Sequence, residues 1–184
     1  MKSLTTIFKL LLTLTIALSF SNFAQGQIEK GGIPLSLKLN LSETKQVLDL
    51  TPNFDWNKIA DEDDVNHKQG NPLRVGLSVP VNVSMSNSGE WIKLTNGKMM
   101  WRLTIKSEGA TSLGLVFDEF ELPIGSELFV YDANKRDILG ALGSHNNNPS
   151  KVLSTRLIAG NTITIEYVEP LESQNSSSTK EFSS

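Results

Sequence analysis

Apolar and polar residues alternate most regularly over residues 73–83, where Leu73, Val75, Leu77, Val79, Val81 and Val83 fall on one side. Arg74, Gly76, Ser78, Pro80, Asn82 and Ser84 fall on the other. Period-two patterning predicts a half-buried strand, and Pro80, which lacks a ladder donor, places it at an edge or a bulge. Residues 91–94 and 99–105 flank Asn96-Gly97. That dipeptide favours a type I′ turn and predicts a hairpin. On its second strand Met99, Trp101, Leu103 and Ile105 point one way, and Met100, Arg102, Thr104 and Lys106 the other.

Further short strands are predicted over 112–117, 127–131, 138–142, 152–157 and 162–168. Between them lie turn signals at Glu108-Gly109, Pro123-Ile124-Gly125, Asp132-Ala133-Asn134, 146–149 and Gly160-Asn161. Many short strands without helices between them predict an all-β fold, a single antiparallel β-sandwich or jelly-roll-like domain over residues 71–170. The preceding segment, 27–70, carries one early strand where Leu35, Leu37, Leu39 and Leu41 alternate with Ser36, Lys38, Asn40 and Ser42. An extended or loop stretch follows, with an acidic run from Asp61 through Glu62 and Asp63 to Asp64. Residues 171–184 are polar, with nothing to bury, and predict a disordered tail.

The first residues change the picture. Lys2 and Lys9 precede the apolar run 10–20, which has the length of a signal-peptide core and falls short of the ~20 residues of a spanning helix. Residues 1–26 are therefore expected to be a cleaved signal peptide, cut after Ala24 or Gly26, and the mature chain to be secreted, extracellular or periplasmic, with no membrane span after signal removal. The 184 residues contain no cysteine, which excludes disulfides, thiolate metal sites and a cysteine nucleophile. A formal net charge of −3 gives no attraction to nucleic acid or anionic lipid.

Chemistry-bearing residues are sparse. The chain has two histidines, His67 and His145, both in polar surroundings, and no Gly-x-Ser-x-Gly string or phosphate-cradling glycine loop. The acidic run 61–64 with Asp55 offers hard oxygen ligands for calcium but lacks the spacing and glycine of an EF-hand loop. Asp118, Glu119 and Glu121 read as surface carboxylates at a strand end rather than a glycosidase pair. No catalytic residue, metal ligand or cofactor is expected. Trp101 alternates with core residues, which leaves Trp91 and Trp56 as candidate ligand-binding rings, of the flat kind that sandwich modules present to sugars.

Residues 101–113, 117–131, Ile158-Ala159-Gly160-Asn161 and 165–170 together resemble the region ahead of the peptidase in secreted lysyl-endopeptidase-like, trypsin-fold serine proteases of the Bacteroidetes. The resemblance spans roughly residues 31–170 and carries no catalytic group. It implies a non-catalytic pro- or accessory β-domain whose partner is a trypsin-like peptidase domain, present here as a truncated or free-standing fragment. The alternative is an extracellular module that binds a carbohydrate or another surface, with a glycan as partner.

Overall fold

The computed structural model describes residues 29–170; the expected signal peptide at 1–26 and the polar tail at 171–184 lie outside the described residues. Among the described residues there are two α-helical segments, α1 (Leu35–Lys38) and α2 (Trp56–Lys68). The strands are β1 (Val47–Asp49), β2 (Glu90–Lys93), β3 (Met99–Lys106), β4 (Ser112–Leu113), β5 (Val116–Phe117), β6 (Glu127–Asp132), β7 (Ile138–Leu142), β8 (Leu153–Ser154), β9 (Ile158–Ala159) and β10 (Thr162–Val168). The described chain is β-rich, and none of its helices is long and apolar enough to cross a membrane.

A six-stranded sheet runs in the order β1-β3-β10-β6-β7, with β2 also paired to β3. Strand β3 is its organiser. Its residues 100–106 pair with β10 along one edge, while β2 occupies the first half of the other edge and β1 the second. All pairings in this sheet are antiparallel except β1 with β3, so the sheet is mixed rather than purely antiparallel. The short ladders β4·β9 and β5·β8 are separate from it.

The hairpin forms where the sequence places it, with Trp91 opposite Trp101. Its turn is of another kind. Gly97 takes a positive φ of 85° and Asn96 does not, the Gly97 N–H donates to the Leu94 carbonyl, and the Leu94 N–H donates to the Lys98 carbonyl. Type I′ requires positive φ at both central residues, so this is a three-residue loop with glycine at the left-handed position.

Alternation on β3 sends Trp101, Leu103 and Ile105 into the main core, where they meet Ile163, Ile165 and Tyr167 of β10, Leu128 and Val130 of β6, and Phe120, Leu122, Leu153 and Ile158. The other face is also covered. Met100 and Val168 form a second cluster with Leu94, packed by Leu35 and Leu41, and Phe129, Tyr131 and Ala141 form a third. Residues 30–31 also pair with Ala141 beside β7.

Three local expectations are corrected. Residues 35–41 are not a strand: Leu35–Lys38 is a single helical turn with Ser36 buried and Leu39 exposed, because the buried partner of this segment is polar and sits beneath Ser36. Residues 56–68 are a helix rather than a loop. The Asp55 carboxylate accepts the Lys58 N–H at 3.1 Å as an N-cap, and Lys68 pairs with Asp64 one turn back at 2.6 Å. Residues 73–83 belong to no strand, and Leu73, Val75, Val79 and Val81 are exposed.

Helix α2 buries none of its residues. Its stability therefore rests on capping and local pairs. Asp55→Ala should remove about 1 kcal/mol from the helix and reduce the far-ultraviolet helical signal at 222 nm, with the cooperative melting of the sheet unchanged. A fall in that melting temperature of the same size as in a core variant would show that α2 is part of the core after all.

Candidate functional site

The densest concentration of buried polar groups lies on the sheet face beneath residues 36–47. Strand register builds it. Glu90 on β2 is opposite Arg102 on β3, and Arg102 is opposite Glu166 on β10, so acid, base and acid form one row across three strands. Glu166 is fully buried. Its carboxylate accepts the backbone N–H of Ser36 at 3.1 Å, a short hydrogen bond from Ser36 Oγ, and the Tyr131 hydroxyl at 3.2 Å. A first-turn N–H of α1, which has no partner within its own helix, is satisfied in this way.

Arg102 reaches outward from the same row. One terminal nitrogen donates to the Ser42 carbonyl at 2.8 Å and the other to Glu90 at 3.3 Å, while its buried Nε has no partner among the described residues. Arg102 and Glu166 thus hold two points of the segment that crosses the sheet, Ser42 and Ser36. Burial pushes the Tyr131 hydroxyl up to about 12, against the lowering effect of its Ser36 hydrogen bond, and the Glu166 charge adds to the rise. Burial also raises Tyr167.

Between residues 36–47 and the sheet lies a cavity of about 120 Å³, lined by Arg102, Tyr131, Thr104, Thr164 and Lys135 among others. The hydroxyls of Thr104 and Thr164 bond to each other across the strands at 2.9 Å. At ~30 Å³ per water this is room for about four waters, and the surrounding groups are already engaged in holding the segment down. The cluster acts as a clamp.

An alkaline titration checks this. Tyr131 and Tyr167 are the chain's two tyrosines. Absorbance at 295 nm should show no ionisation step near pH 10, the ordinary tyrosine value, while the domain is folded. Because the folded value of Tyr131 is raised, its contribution to stability is complete below the unfolded value near 10 and is lost as pH rises toward about 12. A full two-tyrosine step near pH 10 on a still-folded domain would contradict the clamp.

The residues singled out by sequence are dispersed. Trp91 is 41% exposed on β2, but its indole N–H donates to the Met85 carbonyl at 3.1 Å and its ring meets Tyr167 edge-on at 6.1 Å. Trp56 is 67% exposed at the start of α2, edge-on to Phe54 at 5.6 Å. No ring contact joins the two tryptophans among the described residues. His67, in the last turn of α2, and His145, in a 3-10 turn after β7, are both exposed.

In the acidic run Glu62 and Asp63 both hold Arg74, at 2.9 and 2.8 Å, and Asp64 holds Lys68. Glu121 pairs with Lys151, and Asp118 and Glu119 are exposed. Among the described residues no group of three or more His, Asp or Glu side chains is gathered to hold a metal ion.

Sequence reasoning missed the Arg102–Glu166–Tyr131 clamp. The signal available was the placement of Arg102 and Glu166 inside strongly apolar strands, where an unpaired charge is costly. No family model matches the chain, and no solved structure matches it at a significant level.

Proposed function

We propose that this chain is a non-catalytic, exported β-domain of the pro- or accessory type that precedes trypsin-fold, lysyl-endopeptidase-like peptidases. One observation carries the reading. The strings that resemble that region overlap β3, β6 and the second half of β10, which lie side by side in the order β3-β10-β6 and supply much of the main core. We also read the layering as sandwich-like, with the short ladders covering the face that carries Trp101, Leu103 and Ile105.

Such a domain works by mass action, stabilising the native peptidase that it binds, and a covalent link raises the effective concentration of the binder. Detached, it loses that advantage, so weak inhibition in trans of a cognate peptidase is the expected result and sub-nanomolar inhibition would overturn the reading. The coding DNA immediately downstream of the Ser184 codon should contain a trypsin-like segment if the chain is the front part of a protease precursor.

A second reading, glycan binding, draws on the exposed ring of Trp56. It calls for a glycan-array signal that is lost in Trp56→Ala. Trp91 suits this role less well, since its N–H is engaged by the Met85 carbonyl and its ring already contacts Tyr167 within the domain.

A further inference from the structure

Residues 72–81 are tied at both ends. Before them the Asn71 N–H donates to the Asn66 carbonyl at 3.0 Å; after them the Asn82 carbonyl accepts from the Asn87 side chain, and Val83 packs against the main core. Between the ends, no backbone N–H or C=O from 72 to 81 has a hydrogen-bond partner among the described residues. Pro72, Leu73, Arg74, Val75 and Gly76 are all exposed, Val75 at 95%.

An endopeptidase draws several residues on each side of the bond it cuts away from their surroundings and pairs with their backbone as an added strand. In a folded chain this is possible only where that backbone is exposed and not already bonded. The basic residues divide on this criterion. Every lysine among the described residues lies in a helix or strand, or has a backbone bond on itself or an adjacent residue, as at Lys30, Lys45 and Lys135. The same holds for Arg102, Arg136 and Arg156. Among the described residues, Arg74 is the one basic residue whose own and neighbouring backbone groups are all unpaired.

We infer that Arg74 marks a processing site, at which an endopeptidase of arginine specificity hydrolyses the Arg74–Val75 bond. Water adds across that bond, leaving a carboxylate on Arg74 and a new ammonium group on Val75. Glu62 and Asp63 hold the Arg74 guanidinium at 2.9 and 2.8 Å, and both carboxylates are exposed. Exposed pairs hold a side chain weakly, so the guanidinium can pass to the carboxylate of a trypsin-type specificity pocket. Lysine specificity finds no free backbone in the folded domain. A domain built this way withstands the lysyl peptidase of the proposed reading and is opened by a second enzyme, although the site itself does not depend on that reading.

The cut falls between two pieces that are joined elsewhere. The piece ending at Arg74 carries α1, β1 and α2. It keeps β1 paired with β3, Ser36 on Glu166, the Ser42 carbonyl on Arg102 and residues 30–31 on Ala141. The piece starting at Val75 carries β2 to β10 and with them the buried residues of the main core. Cleavage therefore turns the domain into a noncovalent pair, with the Arg102–Glu166 clamp among the contacts that hold its halves together.

The folded full chain, treated with trypsin at a low ratio, should be cut first at Arg74–Val75 among the bonds of residues 29–170, read by mass under denaturing conditions. A lysine-specific endopeptidase at equal activity should cut within those residues at least tenfold more slowly. The two pieces should elute together from a native size-exclusion column and separate in urea. Arg74→Gln and Val75→Pro should both abolish the early cut with the melting temperature unchanged; the second keeps Arg74 and its ion pairs and removes the N–H after the bond. A first cut elsewhere in residues 29–170, or lysine-specific cleavage there as fast as trypsin's, overturns the inference. So does an early cut that persists in Arg74→Gln, or a pair of pieces that part on the native column. Inhibition in trans, which tests the proposed function, is a separate measurement, so the two fail separately.

Discussion

Glu166→Ala is expected to destabilise the domain by about 3–5 kcal/mol, read as a lower urea midpoint at constant slope. The carboxylate is fully buried, and three donors converge on it: the Ser36 N–H, the Ser36 hydroxyl and the Tyr131 hydroxyl. Truncation removes the acceptor of all three and leaves the two hydroxyls only their contact with each other at 3.3 Å, and each buried group left unsatisfied costs about 1–3 kcal/mol. It also removes the acid opposite Arg102 in the strand register, whose ion-pair partner, Glu90, is partly exposed.

Glu166→Gln keeps an acceptor oxygen for Ser36 and should lose less than half as much. The damage should also be local. Residues 35–44 are held to the sheet by Glu166 and Arg102, so amide exchange in this segment should accelerate in the alanine variant before exchange in β3 or β6 does. A loss under 1 kcal/mol, with protection of residues 35–44 intact, would mean that the apolar contacts of Leu35 and Leu41 hold the segment without the clamp.

The elements legible in the sequence share a physical property: their pattern and their punctuation agree. Strands β3, β7 and β10 alternate or run apolar between clear turns, and their limits emerge within a residue or two of expectation. The alternation at 73–83 is just as regular, and it forms no ladder. Periodicity reports which face of a segment is able to be buried; whether the rest of the chain supplies a partner is a question of topology.

Helix α2 was hidden for the opposite reason. It is polar nearly all round and buries nothing, so no apolar stripe marks it; the readable signs were Asp55 three residues before Lys58 and the Asp64–Lys68 spacing. The clamp was out of reach because Arg102 and Glu166 are far apart in the chain and become neighbours only through the register of β3 with β10. Trp91 and Trp56, the candidate ligand-binding rings, are both exposed, and among the described residues no ring contact brings them together.

A second large effect is expected at Gly89, where the chain enters β2. Gly89 takes a φ of +77°, and a Cβ built there would lie 2.5 Å from Trp101 Cε2, 2.6 Å from Trp101 Nε1 and 2.7 Å from the Arg102 carbonyl oxygen. None of these neighbours is free to retreat. Trp101 is part of the main core and its indole N–H donates to the Ser88 carbonyl at 2.8 Å, so the ring is held from both sides. The Arg102 carbonyl belongs to β3.

Gly89→Ala therefore adds two costs: about 1–2 kcal/mol for a left-handed backbone with a Cβ and about 1–3 kcal/mol for overpacking. The expected sum, about 3–4 kcal/mol, should lower the Tm by about 10 °C for a domain of this size. Gly109→Ala separates the two costs, because Gly109 has nearly the same φ, +78°, with nothing within 4 Å of its would-be Cβ. That control should lose about 1 kcal/mol. The remainder measures how tightly the entry to β2 is closed over Trp101, and equal losses in the two variants would show that the close approach relaxes at no cost.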